Sequence, residues 1–278
     1  EMRRLGRVEL REGAEWFSST AFGDDQDRVL VRANGEPTYF LADLAYHVDK
    51  HERGFEKVID IWGPDHHGYI GRMQAGMEAL GYGRDWLEVL IVQQVNLLSG
   101  GQPVKMSKRR GEFITLADLI EEVGKDAAIF FFLQRRAESH LDFDMDLARK
   151  ETDENPVFYV KYAHARISGI LRKAAEEGAP PAQGADLGLL VEEQELELMK
   201  ALLAMPSVVA GAAEAREPHR VTTYLREVAQ AFHLFYHHCR VVGPEPRLTA
   251  ARLALTEAAR LVLANGLALL DIEAPERM

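Results

Sequence analysis

Lys105 and Lys108 enclose Met106 and Ser107, and Arg109 and Arg110 follow directly, so one short segment gathers four cations with only Glu112 nearby. Two lysines three residues apart can flank one polyphosphate. Ser107 and backbone N–H groups add donors, so such a loop can approach as negative charge builds on a leaving pyrophosphate. Standing alone, a K-x-S-K string is more often a solvated basic loop. A second basic stretch, Pro156 to Ala175, carries Lys161, His164, Arg166, Arg172 and Lys173 without a single acid. Metal chemistry is not expected. His66 and His67 are adjacent, which rarely aims both rings at one ion, and no third ligand lies nearby; the same holds for His237-His238-Cys239.

The elements that must position these residues fall into two regimes. Between Arg28 and Ser99 strand-like and helix-like segments alternate. Arg28 to Arg32 and Pro37 to Leu41 flank Asn34-Gly35, which suits the positive backbone angles of a tight hairpin turn. Leu41, Leu44, Ala45 and Val48 have helical spacing and stop before Gly54. Lys57 to Trp62 reads as a short apolar strand running into Gly63-Pro64-Asp65, Tyr69 to Leu80 as a helix closed by Gly81, and Leu87 to Val95 as a further buried strand. Strand, glycine loop, helix, strand is a βαβ pattern. It implies a parallel sheet with its ligand site at the carboxyl ends of the strands. Gly63 allows close backbone approach there, Asp65 can accept from ribose hydroxyls, and Val92, Gln93 and Val95 either flank a base or fill the core.

After about residue 115 the pattern becomes helical. Thr115 and Asp118 form a capping pair for a helix to Gly124, and Asp126 opens another through Arg136. Asn155-Pro156 is an N-cap and first-turn pair for a long helix to about Glu177; a Gly/Pro/Ala-rich loop and helices near 189–203, 221–241 and 249–270 follow. The expected organisation is α/β plus all-α: a partial Rossmann-like segment to about residue 115, a helical connection over 116–154, and an α-helical bundle over 155–278.

Composition bounds the function. The 278 residues are 47% apolar and 28% charged, enough for a buried core and unlike a disordered chain. A single cysteine, Cys239, excludes an internal disulfide and fits a reducing compartment. No run approaches about 18 uninterrupted apolar residues, and the N-terminal segment is charged, so a cytoplasmic chain without membrane partner is expected. The net charge of −11 argues mildly against nucleic acid, although local clusters decide phosphate binding because salt screens beyond about 10 Å.

Lys105 to Arg109 spells KMSKR, the signature that class I aminoacyl-tRNA synthetases carry. With it stand Pro37 to His47 (PTYFLADLAYH), Ile61 to Tyr69 (IWGPDHHGY), Phe130 to Phe132 and Leu141 to Asp144, Asn155 to Arg166 (NPVFYVKYAHAR) and the close Ala274 to Met278 (APERM). Together they resemble bacterial arginyl-tRNA synthetase over nearly the whole chain, with the N-terminal domain and the half of the catalytic fold bearing the HIGH-type motif missing. The resemblance implies an arginine pocket of Tyr39, Asp43 and His67, an ATP site of Gly63, Asp65, His66, Met106 and Ser107, and catalytic Lys105 and Lys108. It implies ATP with Mg2+ as substrates, an α-helical anticodon-binding domain, and tRNA(Arg) contacts from Lys161, Tyr162, His164, Arg166, Tyr236, Arg240 and Met278. Aromatic and basic side chains suit unstacked bases, while an amphipathic helix with buried tyrosines is the alternative for the same residues. The implied activity is ATP-dependent activation of arginine and its transfer to tRNA, completed by an N-terminal portion of the enzyme. A non-catalytic tRNA-binding module and one piece of a split synthetase are the alternatives.

Overall fold

The computed structural model describes residues 1–104 and 114–278, which form two compact units: 1–94 with 137–139, and 95–136 with 140–278. The expected boundaries at 115 and 154 both fall inside the second unit.

The first unit opens with an antiparallel sheet of β1 (Val8–Arg11), β2 (Ala14–Phe17) and β3 (Arg28–Val31), in that order. Glu12 and Gly13, with φ of 51° and 79°, supply the two left-handed positions of the first hairpin. Asn34-Gly35 does make the expected turn, with Gly35 at φ 84°, but the second arm is one bridge, Val31 to Pro37, instead of a strand. Pro37 has no N–H to continue a ladder, and Thr38 is a helix cap: its Oγ1 accepts from Leu41 N at 3.3 Å and opens α1 (Tyr39–Glu52). Helix α1 buries Phe40, Leu44 and His47, a stripe at spacings of four and three.

The βαβ expectation is met by β4 (Val58–Trp62), α2 (Ile70–Ala79) and β5 (Leu87–Ile91), with β4 and β5 parallel from Val58↔Leu87 to Trp62↔Ile91. A Cβ on Gly76 of α2 would run into the Leu44 side chain, so glycine lets α2 lie close against α1. Phe17, Leu30, Phe40, Leu44, Met73, Met77 and Leu87 form the core of this unit.

In the second unit β6 (Val95–Ser99) lies between β7 (Gln102–Pro103) and β8 (Leu141–Asp144), antiparallel to the first and parallel to the second. The run expected as one strand from Leu87 to Val95 is thus divided between two sheets, and β8 interrupts a region read as wholly helical. Its Leu141 and Phe143 are buried while Asp142 is exposed, a period-two pattern too short to stand out between helices. Helix α3 (Leu116–Val123) carries the expected capping box of Thr115 and Asp118, and α4 (Lys125–Leu133) and α5 (Met145–Arg149) complete this part. The bundle comprises α6 (Pro156–Glu176), α7 (Glu193–Leu203), α8 (Met205–Ala215), α9 (His219–His238) and α10 (Pro246–Leu269). Asn155 caps α6, accepting from Val157 N at 3.2 Å while its amide donates to the carbonyls of Ala148 and Lys150 at 2.9 Å. One continuous core runs from Phe130, Phe131 and Phe143 through Ile167, Leu225, Phe232 and Phe235 to Leu263.

Glu193–Ala215 is long and apolar enough in composition to cross a membrane. It is divided at Ala204 into two helices of 11 residues each, and each reaches only about 16 Å against a hydrocarbon core of about 30 Å. Its Glu195 is fully buried and accepts from Arg252 Nε at 2.6 Å.

Candidate functional site

A cavity of about 540 Å³ lies in the first unit, lined by Tyr39, Asp43, Tyr46, His47 and Lys50 from α1, Asp60 and Trp62 from β4, and His66 and Tyr69 beyond it. Its place beside the carboxyl end of β4 is where a βαβ unit leaves a crevice for a ligand. Trp62 and Tyr69 rings stand edge-on, 5.9 Å apart, and with Tyr39 and Tyr46 they frame the cavity with aromatic surface, while buried Phe40 meets Tyr69 edge-on at 6.1 Å.

The cavity holds two carboxylates in different electrical states. Asp60 Oδ1 accepts from Lys50 Nζ at 3.1 Å and Oδ2 lies 2.7 Å from His47 Nε2. Burial pushes Asp60 up, but the hydrogen bonds from His47 and Lys50 outweigh it and hold the carboxyl below its ordinary range. Asp43 receives one hydrogen bond, from the Tyr69 hydroxyl at 3.2 Å, and makes no ion pair among the described residues. Burial first, then the charge of Asp43, push the Tyr69 hydroxyl up to about 12, so it stays a donor to Asp43 across the physiological range. Asp43 is therefore the carboxylate with charge left over for a cationic ligand, and a guanidinium can offer it two parallel N–H donors.

Among the residues expected to bind arginine, Tyr39 and Asp43 share this cavity, one helical turn apart, and Tyr39 is 86% exposed. His67 is exposed and does not line the cavity; its neighbour His66, expected at ATP, does. The pair lies in the tight turn Pro64–Tyr69, where successive side chains diverge. Gly63 and Asp65 are exposed at the mouth of that turn. Gly63 has φ −72° and open space where a Cβ would stand, so its own backbone does not require glycine. Lys105, Met106, Ser107 and Lys108 lie outside the described residues. The root of their segment is described: Gly100 N donates to Asp146 Oδ2 at 2.5 Å and Val104 N to Leu97 O at 2.8 Å.

Sequence reasoning passed over His47, Lys50, Asp60, Trp62 and Tyr69. The signal for Lys50 and His47 was present as polar residues on the inward face of α1. Their partner Asp60 sits at an inward position of a strand read as apolar.

In the second unit the residues expected at tRNA separate. Tyr162, Arg166 and Tyr236 come together across α6 and α9: the Arg166 guanidinium carbon lies 5.6 Å from the Tyr162 ring and 4.8 Å from the Tyr236 ring. Phe158 stacks on Tyr162 at 6.1 Å, extending the aromatic row along α6. Tyr236 and Arg240 line a cavity of about 610 Å³ with Lys173, His237 and His238. His164 is not on this surface. It is 2% exposed and its Nδ1 donates to the carbonyl of Pro275 at 2.8 Å, pinning the C-terminal segment to α6. Lys161 faces Asp126 of α4 in an ion pair, so the acid-free stretch on α6 gains an acid through the fold. Lys161 and Met278 line a separate cavity of about 900 Å³.

Comparison with known proteins bears on both units. Residues 160–278 match the DALR anticodon binding domain model. The whole chain aligns at 52% identity with the arginine–tRNA ligase of Desulforamulus reducens and at 50% with that of Bacillus subtilis, covering 50% of each relative. The chain thus spans about half the length of the curated relatives it matches. A Campylobacter jejuni crystal structure described as an arginyl-tRNA synthetase superimposes with a TM-score of 0.91 at 38% identity, over 100% of this chain and 60% of that one. The fold alone extends to Thermus thermophilus arginyl-tRNA synthetase, TM-score 0.77 at 24% identity, over 100% of this chain and 57% of that one. Over its whole length the chain is similar to a C-terminal portion of arginyl-tRNA synthetases, and its residues 160–278 match the DALR anticodon binding domain.

Proposed function

We propose that this chain supplies the arginine pocket, the pyrophosphate-facing lysines and the anticodon-reading surface of a cytoplasmic arginine–tRNA ligase, working with an N-terminal portion of the same enzyme. The observation that carries the reading is Asp43, a carboxylate that makes no ion pair among the described residues, in an aromatic-framed cavity of about 540 Å³. Asp43 holds the guanidinium, Tyr69 orients Asp43 through its hydroxyl, and Tyr39 covers the substrate from the open side. Gly63, Asp65 and His66 seat the nucleotide, with Mg2+ arriving on ATP.

Little covalent chemistry falls to side chains. The arginine carboxylate attacks the α-phosphate of ATP, the bond to pyrophosphate breaks, and Lys105 and Lys108 stabilise the charge on the departing group. The terminal ribose hydroxyl of tRNA then takes the arginyl group from the adenylate, releasing AMP.

Arg166 and Tyr236 offer a cation and a ring to unstacked anticodon bases, and Arg240, Lys173 and His237 stand beside them for the backbone. Base stacking on an aromatic is worth about 1–3 kcal/mol, so Tyr236→Ala in the full-length synthetase should weaken tRNA(Arg) binding about 5- to 150-fold. Lys161→Ala should change it less than about threefold, because Asp126 already holds that charge. Filter binding at two salt concentrations, paired with aminoacylation, tests the reading. Charging of tRNA with arginine, with affinity falling steeply as salt rises, supports it; equal losses for Lys161→Ala and Tyr236→Ala would displace the tRNA surface from the α6–α9 face.

A further inference from the structure

His47 is 4% exposed and has no part in the reading above, yet its two ring nitrogens meet two different elements. Nδ1 lies 2.8 Å from the backbone carbonyl of Asp43, within α1, and Nε2 lies 2.7 Å from Asp60 Oδ2 on β4, both at hydrogen-bond distance. Lys50, three residues on, reaches the other oxygen of Asp60 at 3.1 Å and lies 4.5 Å from the Tyr46 ring centre.

We propose that His47 is the positioning residue of the arginine-binding carboxylate, stapling the turn of α1 that bears Asp43 to the centre of β4 through Asp60. The inference rests on the reading of Asp43 as the guanidinium partner. Phe40, against Phe17, and Leu44, against Gly76 of α2, also hold α1 in the core of the unit, but apolar contact is non-directional and tolerates sliding along the helix axis. Hydrogen bonds at 2.7 and 2.8 Å are directional and do not. A bidentate carboxylate–guanidinium pair needs its oxygens within about 0.5 Å of the productive position. The staple meets that demand without leaving a second carboxylate unpaired in the pocket, because Lys50 forms an ion pair with Asp60. His47 touches no substrate; it acts through the position of Asp43.

The test compares three substitutions in the full-length synthetase by arginine-dependent pyrophosphate exchange with tRNA present. His47→Ala removes both bonds, His47→Asn keeps a donor near Nδ1 only, and His47→Gln keeps a donor near Nε2 that reaches Asp60. Misplacement of a binding group by about 1 Å costs up to about 100-fold. We expect a rise of about 10-fold in the arginine KM for Ala and Asn, with the ATP KM and maximal rate within about twofold, and recovery to within about threefold for Gln. A role in stability alone would lower the melting temperature of all three and leave the arginine KM unmoved. That result, or arginine and ATP KM rising in parallel, overturns the inference. Asp43→Asn serves as the control: if it too leaves the arginine KM unchanged, the pocket assignment has failed; if it alone raises the KM, only the role of His47 has.

Discussion

Asp43→Asn in the full-length synthetase is expected to lower kcat/KM for arginine about 30- to 1,000-fold, with most of the loss in the arginine KM. The substitution replaces an acceptor of two N–H groups by an amide whose own N–H faces the guanidinium. Loss of a charge-assisted bidentate pair costs about 2–4 kcal/mol, and each 1.4 kcal/mol is a factor of ten. The size of the effect follows from the environment of Asp43, which has the Tyr69 hydroxyl as its hydrogen-bond donor and no ion pair among the described residues. Asp60, eight residues beyond the end of α1 and on β4, is already matched by Lys50 and His47 and is not expected to contribute free charge. Steady-state exchange kinetics with arginine titrated at saturating ATP measure this directly. An unchanged arginine KM and rate would remove Asp43 from the pocket.

Lys108→Ala is expected to reduce turnover about 100-fold, equivalent to about 2.7 kcal/mol of transition-state stabilisation. Its proposed contact strengthens as pyrophosphate separates, so the loss should appear in kcat while the arginine KM stays within about twofold. The expectation rests on the KMSKR sequence, whose residues are outside the described ones. The described approach to that segment is a glycine turn, Gly100-Gly101 with φ of 59° and 70°, tied to α5 by Asp146. Single-turnover measurement of adenylate formation separates the chemical step from ATP binding. A raised ATP KM with turnover intact would make Lys108 a uniform ATP binder.

Local chemistry made much of the fold legible. The capping box at Thr115 and Asp118, the Asn155-Pro156 start of α6 and the glycine stops after α1 and α2 each act within a few residues, and each appears in the structure. What escaped depends on partners far along the chain. Leu141 to Asp144 is four residues of alternating burial whose strand identity comes from pairing with Val95 to Leu98. Helix α8 was hidden because Pro206, which breaks a helix interior, sits in its first turn, where a missing N–H costs nothing. Tyr39 was read at the end of a hairpin, while the Thr38 cap makes it the first residue of α1.

The candidate site divides in the same way. Asp43 and Tyr39 were named through resemblance, and their helical spacing does place them on one cavity. The staple of His47 to Asp60 joins α1 to β4 across 13 residues, and only the packing of helix on sheet brings it into view. His164 shows the converse. Its sequence neighbours Lys161 and Arg166 made it look like part of a basic face, yet one step around α6 turns it inward, where it holds Pro275.

Amino-acid-dependent pyrophosphate exchange by the full-length synthetase, with tRNA present and each amino acid supplied in turn, tests the central claim most directly. A pocket whose free carboxylate is matched to a planar, two-pronged cation should accept arginine and reject lysine by at least about 10³-fold in kcat/KM, since a site built for specific hydrogen bonds discriminates strongly against a ligand lacking them. Exchange driven by arginine alone is the predicted result. Comparable exchange with lysine or an uncharged amino acid, or none with arginine, would contradict the account.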